Sequence, residues 1–152
     1  VTGGGTGTFG CELSTDVYDE VQPGSYVLMD ADYQANTPDP AMPAMAQVLT
    51  VVATVISVHP AHVVLDAGLK ALSAESGLPQ AAEPGWQVAG ISDEHVVMKP
   101  TGQGGRPLAC GDRFRLVPSH CDPTVNLHDW IVAVRGDGVE AVGPVDARGA
   151  VF

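Results

Sequence analysis

Nearly every apolar run in this chain is short, rich in β-branched residues and bounded by Gly, Pro or Asp, and few stretches carry a helical repeat. Val, Ile and Thr are stiff at the first side-chain torsion and fit a pleated surface. The pattern therefore predicts an all-β fold, barrel or sandwich, with strand lengths that suit a compact β-barrel-like domain. Residues 48–59 form the longest predicted strand, and 62–66 form another, closed by Ala67-Gly68. Residues 86–90 and 95–99 can pair across a turn holding Ser92-Asp93-Glu94. A further strand, 113–117, ends at Pro118, and 130–135 is joined to 139–142 by Gly136-Asp137-Gly138, the best hairpin signal in the sequence.

Three other stretches need separate readings. Residues 25–30, entered from the Pro23-Gly24 turn, are predicted as a strand. Residues 34–46 contain Pro38, Pro40 and Pro43 and are predicted as a loop or excursion. Residues 69–76 form either a short helix ended by Gly77 or an irregular segment.

At 152 residues with 45% hydrophobic content, the chain can bury the core of one domain. Seven Lys plus Arg against 18 Asp plus Glu give a formal charge of -11, which repels phosphate backbones and anionic lipid. Nucleic acid and membrane surfaces are thus disfavoured as partners. The stretch 48–58 is interrupted by Thr50, Thr54 and Ser57 and falls well short of the roughly 20 residues of a spanning helix. Cys11, Cys110 and Cys121 form no CxxC pair, and an odd number cannot all be paired within the chain, so a reducing cytoplasm is expected. The start, Val1-Thr2-Gly3-Gly4-Gly5, lacks a secretory signal and an initiator Met, which suggests a piece of a longer chain.

Two constellations carry chemistry. Pro118-Ser119-His120-Cys121-Asp122-Pro123 follows the apolar 113–117 run and concentrates ligating side chains. In extended backbone His120 and Asp122 share a face while Cys121 points away. One imidazole and one carboxylate suit zinc, manganese or magnesium, and leave positions open for water or substrate. The alternative is a turn in which His120 is a cap and Asp122 opens an Asx-turn before Pro123. The second constellation is Gly3-Gly4-Gly5-Thr6-Gly7-Thr8, whose amides and hydroxyls can cradle a phosphate, or which can be a flexible terminal linker. It fits neither the P-loop nor the dinucleotide fingerprint. His128-Asp129 and Asp93-Glu94-His95 are adjacent residues that face opposite ways on a strand, and are read as surface or turn residues.

Taken in order, GGGTGT, Glu20-Val21-Gln22-Pro23-Gly24-Ser25-Tyr26, Asp30-Ala31-Asp32-Tyr33, Val64-Leu65-Asp66-Ala67-Gly68, Ile91-Ser92-Asp93-Glu94-His95 and PSHCDPTVNLHD resemble the D-threonine aldolase and D-serine dehydratase-like family over nearly the whole chain. The resemblance implies a pyridoxal-phosphate-dependent enzyme of the alanine-racemase-like fold (fold type III). In it an amino-terminal (β/α)₈ barrel precedes a carboxy-terminal β-domain, and this chain matches the second part. It implies that residues 1–10 are the glycine-rich segment closing the phosphate-binding end of the barrel, with Gly4, Gly5 and Thr6 contacting the phosphate. Residues 11–152 would be the carboxy-terminal β-domain, with His120 and Asp122 holding a divalent metal. The D-serine dehydratases are similar but carry Cys two residues after the His, where Asp122 stands here, which favours the aldolase branch.

The family's Schiff-base lysine lies in the barrel, and Lys70 and Lys99 do not correspond to it. The resemblance thus implies an intact lyase cleaving D-3-hydroxy amino acids to glycine and an aldehyde, with this chain inactive alone and no general base assigned within it. D-serine dehydration is the alternative within the family, and a stand-alone barrel binding a small ligand the alternative outside it. The implied partners are a D-amino acid substrate, the barrel domain and a second copy in a homodimer. An exposed apolar face and self-association of the isolated domain are expected.

Overall fold

A computed structural model describes residues 1–38, 40 and 42–150. In chain order the elements begin with β1 (Thr2–Gly3), α1 (Phe9–Leu13), β2 (Glu20–Val21), a 3-10 turn over Ser25–Val27 and α2 (Ala31–Gln34). They continue with β3 (Val51–His59), β4 (His62–Leu65), β5 (Gln80–Ala81), β6 (Trp86–Ile91), β7 (Val96–Pro100) and β8 (Arg113–Val117). The last are α3 (Cys121–Val125), β9 (Trp130–Arg135) and β10 (Gly138–Pro144).

Six strands form one antiparallel sheet in the order β5-β8-β3-β4-β7-β6, and its edges β5 and β6 pack against each other, so the sheet curls into a nearly closed barrel. The all-β, barrel-like expectation is met. Inward positions recur every second residue, as pleating demands. Ala53 and Val55 of β3, Val63 and Leu65 of β4, Val96 and Met98 of β7, and Phe114 and Leu116 of β8 are all buried. Register places Ala53 opposite Phe114, Val55 opposite Leu65, and Val63 opposite Met98, so the inward side chains meet in one core completed by Leu72 and Leu108. Shifts between Val55 and Ser57 and between Val88 and Gly90 mark bulges, which bend strands and aid closure.

The predicted strands at 48–59, 62–66, 86–90, 95–99, 113–117 and the 130–142 hairpin all form, with ends moved by a few residues. The predicted strand at 25–30 does not. Ser25–Val27 is a 3-10 turn, Met29 takes a left-handed φ of 54°, and Asp30 caps α2 through a bond from the Tyr33 amide. The helix cap at Asp30, with no strand paired to 25–30 among the described residues, outweighs the apolar composition of Tyr26-Val27-Leu28. The 34–46 segment is free of strand among its described residues, and 69–76 is a series of turns, the irregular option. No helix among the described residues is long and apolar enough to cross a membrane.

Candidate metal and anion site

Beyond β8 the chain turns at Pro118 and Ser119 and enters α3, with His120 as the residue before its first turn in extended conformation (φ -137°, ψ 125°). Pro123 sits in that first turn, where a missing N–H costs nothing. The Cys121 amide, otherwise an orphan donor at the helix start, reaches the buried Asp30 carboxylate at 2.8 Å. Thr124 Oγ1 donates back to the His120 carbonyl at 2.7 Å and fixes the turn.

This local fold corrects the extended-strand argument for His120 and Asp122. Asp122 is helical, and the two residues converge because the chain bends between them. The outcome is the one the spacing called for: His120 Nε2 and Asp122 Oδ2 lie 3.5 Å apart. Two donors at about 2.0–2.1 Å from a tetrahedral zinc stand about 3.4 Å from each other, so this separation suits a shared ion. Among the described residues no group of three or more His, Cys, Asp or Glu side chains is placed to hold a metal. A cation here would have two protein ligands, and water or substrate would complete its shell.

Ser25 is a partner that sequence reasoning missed. Its hydroxyl donates to Asp122 Oδ2 at 3.2 Å, and the next residue's amide, Tyr26 N, donates to Thr6 Oγ1 at 3.1 Å. One dipeptide therefore ties the carboxylate of the first constellation to the hydroxyl of the second. Cys121 is fully buried with its sulfur 3.3 Å from Asp122 Oδ1, and its thiol is pushed up to about 12, chiefly by burial and next by that carboxylate. It is a neutral donor to Asp122, unsuited to a soft thiolate ligand.

The glycine-rich segment is anchored. Thr2 and Gly3 pair with Glu20 and Val21, the Gln22 amide donates to the carbonyls of Gly3 and Gly4, and the Gly5 carbonyl accepts from Thr8 and Phe9 at the start of α1. Gly4 has φ +78°, and a Cβ there would lie 2.8 Å from the Glu12 carboxylate. The Oε2 of Glu12 is buried without a partner, so an anion approaching Gly4 meets a like charge, whereas the space beside Gly5 is open. Thr6 is buried, and its hydroxyl hydrogen remains available after its oxygen accepts from Tyr26.

The weaker candidates are structural. His128 Nε2 bonds the Ala71 carbonyl at 2.9 Å, and Glu94 pairs with Lys70 at 2.5 Å on the surface.

A family model described as "Putative serine dehydratase domain" matches residues 48–134, more than half of the chain. A D-threonine aldolase of Arthrobacter sp is 46% identical over 151 residues, 98% of this chain and 39% of that protein. A 3-hydroxy-D-aspartate aldolase of Paracoccus denitrificans (strain Pd 1222) is 43% identical over 155 residues, again 98% and 39%. The crystal structure of D-threonine aldolase from Filomicrobium marinum superposes with a TM-score of 0.93 at 41% identity, covering 100% of this chain and 42% of that one. D-threo-3-hydroxyaspartate dehydratase from Delftia sp. HT23 shares the fold, with a TM-score of 0.70 at 23% identity over 95% of this chain and 44% of that one. The chain thus spans 39% of the length of the curated relatives it matches.

Proposed function

This chain belongs to the serine dehydratase domain family, and from that premise we propose that it is the metal-bearing β-domain of a pyridoxal-phosphate-dependent lyase cleaving D-3-hydroxy amino acids to glycine and an aldehyde. The observation that carries the reading is the convergence of His120 Nε2 and Asp122 Oδ2 at 3.5 Å. The similarity to two aldolases at 46% and 43% identity supports the reaction class.

In this reading residues 1–10 close the phosphate end of an amino-terminal barrel and residues 11–152 form the β-domain. Pyridoxal phosphate, when bound, would supply an electron sink for chemistry at the substrate's α-carbon. Gly5 and Thr6 would contact its phosphate from the open side of the loop, and Gly4 would shape the turn, with Glu12 moving aside. A divalent ion, manganese, magnesium or zinc, would supply Lewis acidity toward the substrate's β-hydroxyl. His120 and Asp122 would hold that ion, and Ser25 keeps the Asp122 carboxylate from rotating away. Cys121, neutral and buried, packs behind Asp122 and donates to its Oδ1. No residue of this chain is assigned as base, and Lys70 is engaged with Glu94, so turnover needs the barrel's groups. The free thiols of Cys11, Cys110 and Cys121 suit a cytoplasmic enzyme, and we place the intact protein there, as a homodimer.

The intact protein, stripped of metal and reloaded with manganese, tests the reading. H120A and D122A are each expected to weaken manganese binding and to abolish release of glycine and acetaldehyde from D-threonine. Unchanged manganese affinity in both variants would remove the metal role. The family model favours a second reading, dehydration, in which D-serine yields pyruvate and ammonia. Product analysis separates the two.

A further inference from the structure

His120 presents two nitrogens to two carboxylates. Nε2 faces Asp122 Oδ2 at 3.5 Å, and Nδ1 lies 3.4 Å from Glu75 Oε2. Nδ1 is buried and has no aligned hydrogen-bond partner, which is costly for a ring N–H and calls for an acceptor within reach. Glu75 is held nearby by a run of polar contacts between residues 71–75 and α3. The Ser73 amide donates to Thr124 Oγ1 at 3.1 Å, Ser119 Oγ donates to the Ser73 carbonyl at 2.9 Å, and the Glu75 amide donates to Ser73 Oγ at 3.2 Å. Thr124 Oγ1 in turn bonds the His120 carbonyl. The segment that carries Glu75 and the turn that carries His120 are therefore one unit.

Resting on the metal reading above, we infer that Glu75 is a positioning residue, whose carboxylate accepts Nδ1–H of His120 and so fixes the tautomer in which Nε2 offers its lone pair toward Asp122 and the ion. The 3.4 Å separation is within hydrogen-bond reach, so the bond turns on the alignment of an exposed side chain. The consequence is a single ring orientation and a single tautomer at the ligand position. Nothing in the local sequence marks Glu75, which lies 45 positions before His120.

The test uses the intact protein with E75A, E75Q, H120A and D122A variants. Nitrogen-15 spectra of the metal-free protein, with the His120 signals identified by their loss in H120A, are expected to show the Nδ1–H tautomer in the wild type and a mixture in E75A. Manganese affinity, read from the free-ion EPR signal, is expected to fall about tenfold or more in E75A. In E75Q it should stay within about threefold, because the amide oxygen still accepts a hydrogen bond. The Glu75 side chain is 68% exposed, so both variants should melt within about 2 °C of wild type. If H120A and D122A weaken manganese binding while E75A matches wild type in affinity and tautomer, the positioning role is overturned and the metal site stands. If H120A and D122A also bind as wild type, both ideas fall together.

Discussion

The Asp30 carboxylate accepts the backbone N–H of Cys121 through Oδ2 at 2.8 Å while its Oδ1 accepts that of Tyr33 at 2.9 Å. One wholly buried side chain thus caps α2 and α3 together, and joins the region before the barrel to the turn that carries His120 and Asp122. The adjacent Met29, with φ 54°, turns the chain so that this cap can form, a backbone strain tolerated beside the candidate site.

Replacing Asp30 with Ala leaves two donors without partners and removes a cap, at a cost of about 2–4 kcal/mol. Thermal melting of D30A is expected to fall by roughly 5–15 °C for a domain of this size. D30N, which keeps one acceptor oxygen, should lose less. A D30A melt within about 2 °C of wild type would rule out the shared cap.

Cys121 gives a pH-dependent outcome. Its thiol is raised from its ordinary value to about 12, first by burial and then by the bond to Asp122, so the folded state keeps it neutral. A folded value above the unfolded one means that the stabilisation is complete below the unfolded value of about 8.5. It is lost as pH climbs toward 12. At about pH 8, iodoacetamide is expected to label Cys11 and Cys110 but not Cys121, with the third adduct appearing only in denaturant. Mass spectrometry counts the adducts, and three on the folded domain would contradict the assignment. The melting temperature should also drop less between about pH 8 and pH 10 in C121A than in wild type.

The barrel was legible in the sequence because its strands state their own period: Val63 and Leu65, or Phe114 and Leu116, alternate inward with nothing else to satisfy. Residues 25–30 misled because a run such as Tyr26-Val27-Leu28 has strand composition, whereas the role of Asp30 as a cap depends on the Cys121 amide 91 positions away. His120 and Asp122 were legible as a pair, yet the reason for their convergence was not, since the extended argument ignored the helix start set by Pro123. Ser25 and Glu75 were invisible as members of the site because only tertiary packing brings them there.

Gly68 links the barrel to the segment that bears Glu75. A Cβ at Gly68 would stand 2.3 Å from the Ser92 carbonyl oxygen, 2.4 Å from the His95 nitrogen and 2.5 Å from the Glu94 nitrogen. All three are backbone atoms that cannot swing aside. The Gly68 carbonyl also accepts from Ala71 and Leu72, which seats Leu72 in the core. G68A is expected to cost about 1–3 kcal/mol by overpacking. G90A, where nothing lies within 4 Å, should stay within about 0.5 kcal/mol. Chemical denaturation compares them, and equal midpoints would refute the close-approach argument.

The β9–β10 hairpin is a two-stranded sheet separate from the barrel sheet. Register sets Trp130 opposite Pro144, Val132 opposite Val142, and Val134 opposite Val139, and directly opposed residues share a face. That face is entirely apolar, with Trp130 61% and Val139 64% exposed, larger than scattered surface apolar residues require. Residues 1–152 alone are therefore expected to self-associate as concentration rises, giving an increasing mass in static light scattering. Combining W130S with V134T and V139T keeps strand propensity at the valine positions while removing much of the apolar area. The triple variant should scatter as a monomer at concentrations where the parent does not. A parent that stays monomeric throughout, or a variant that associates as strongly, would show that this face is not what drives association.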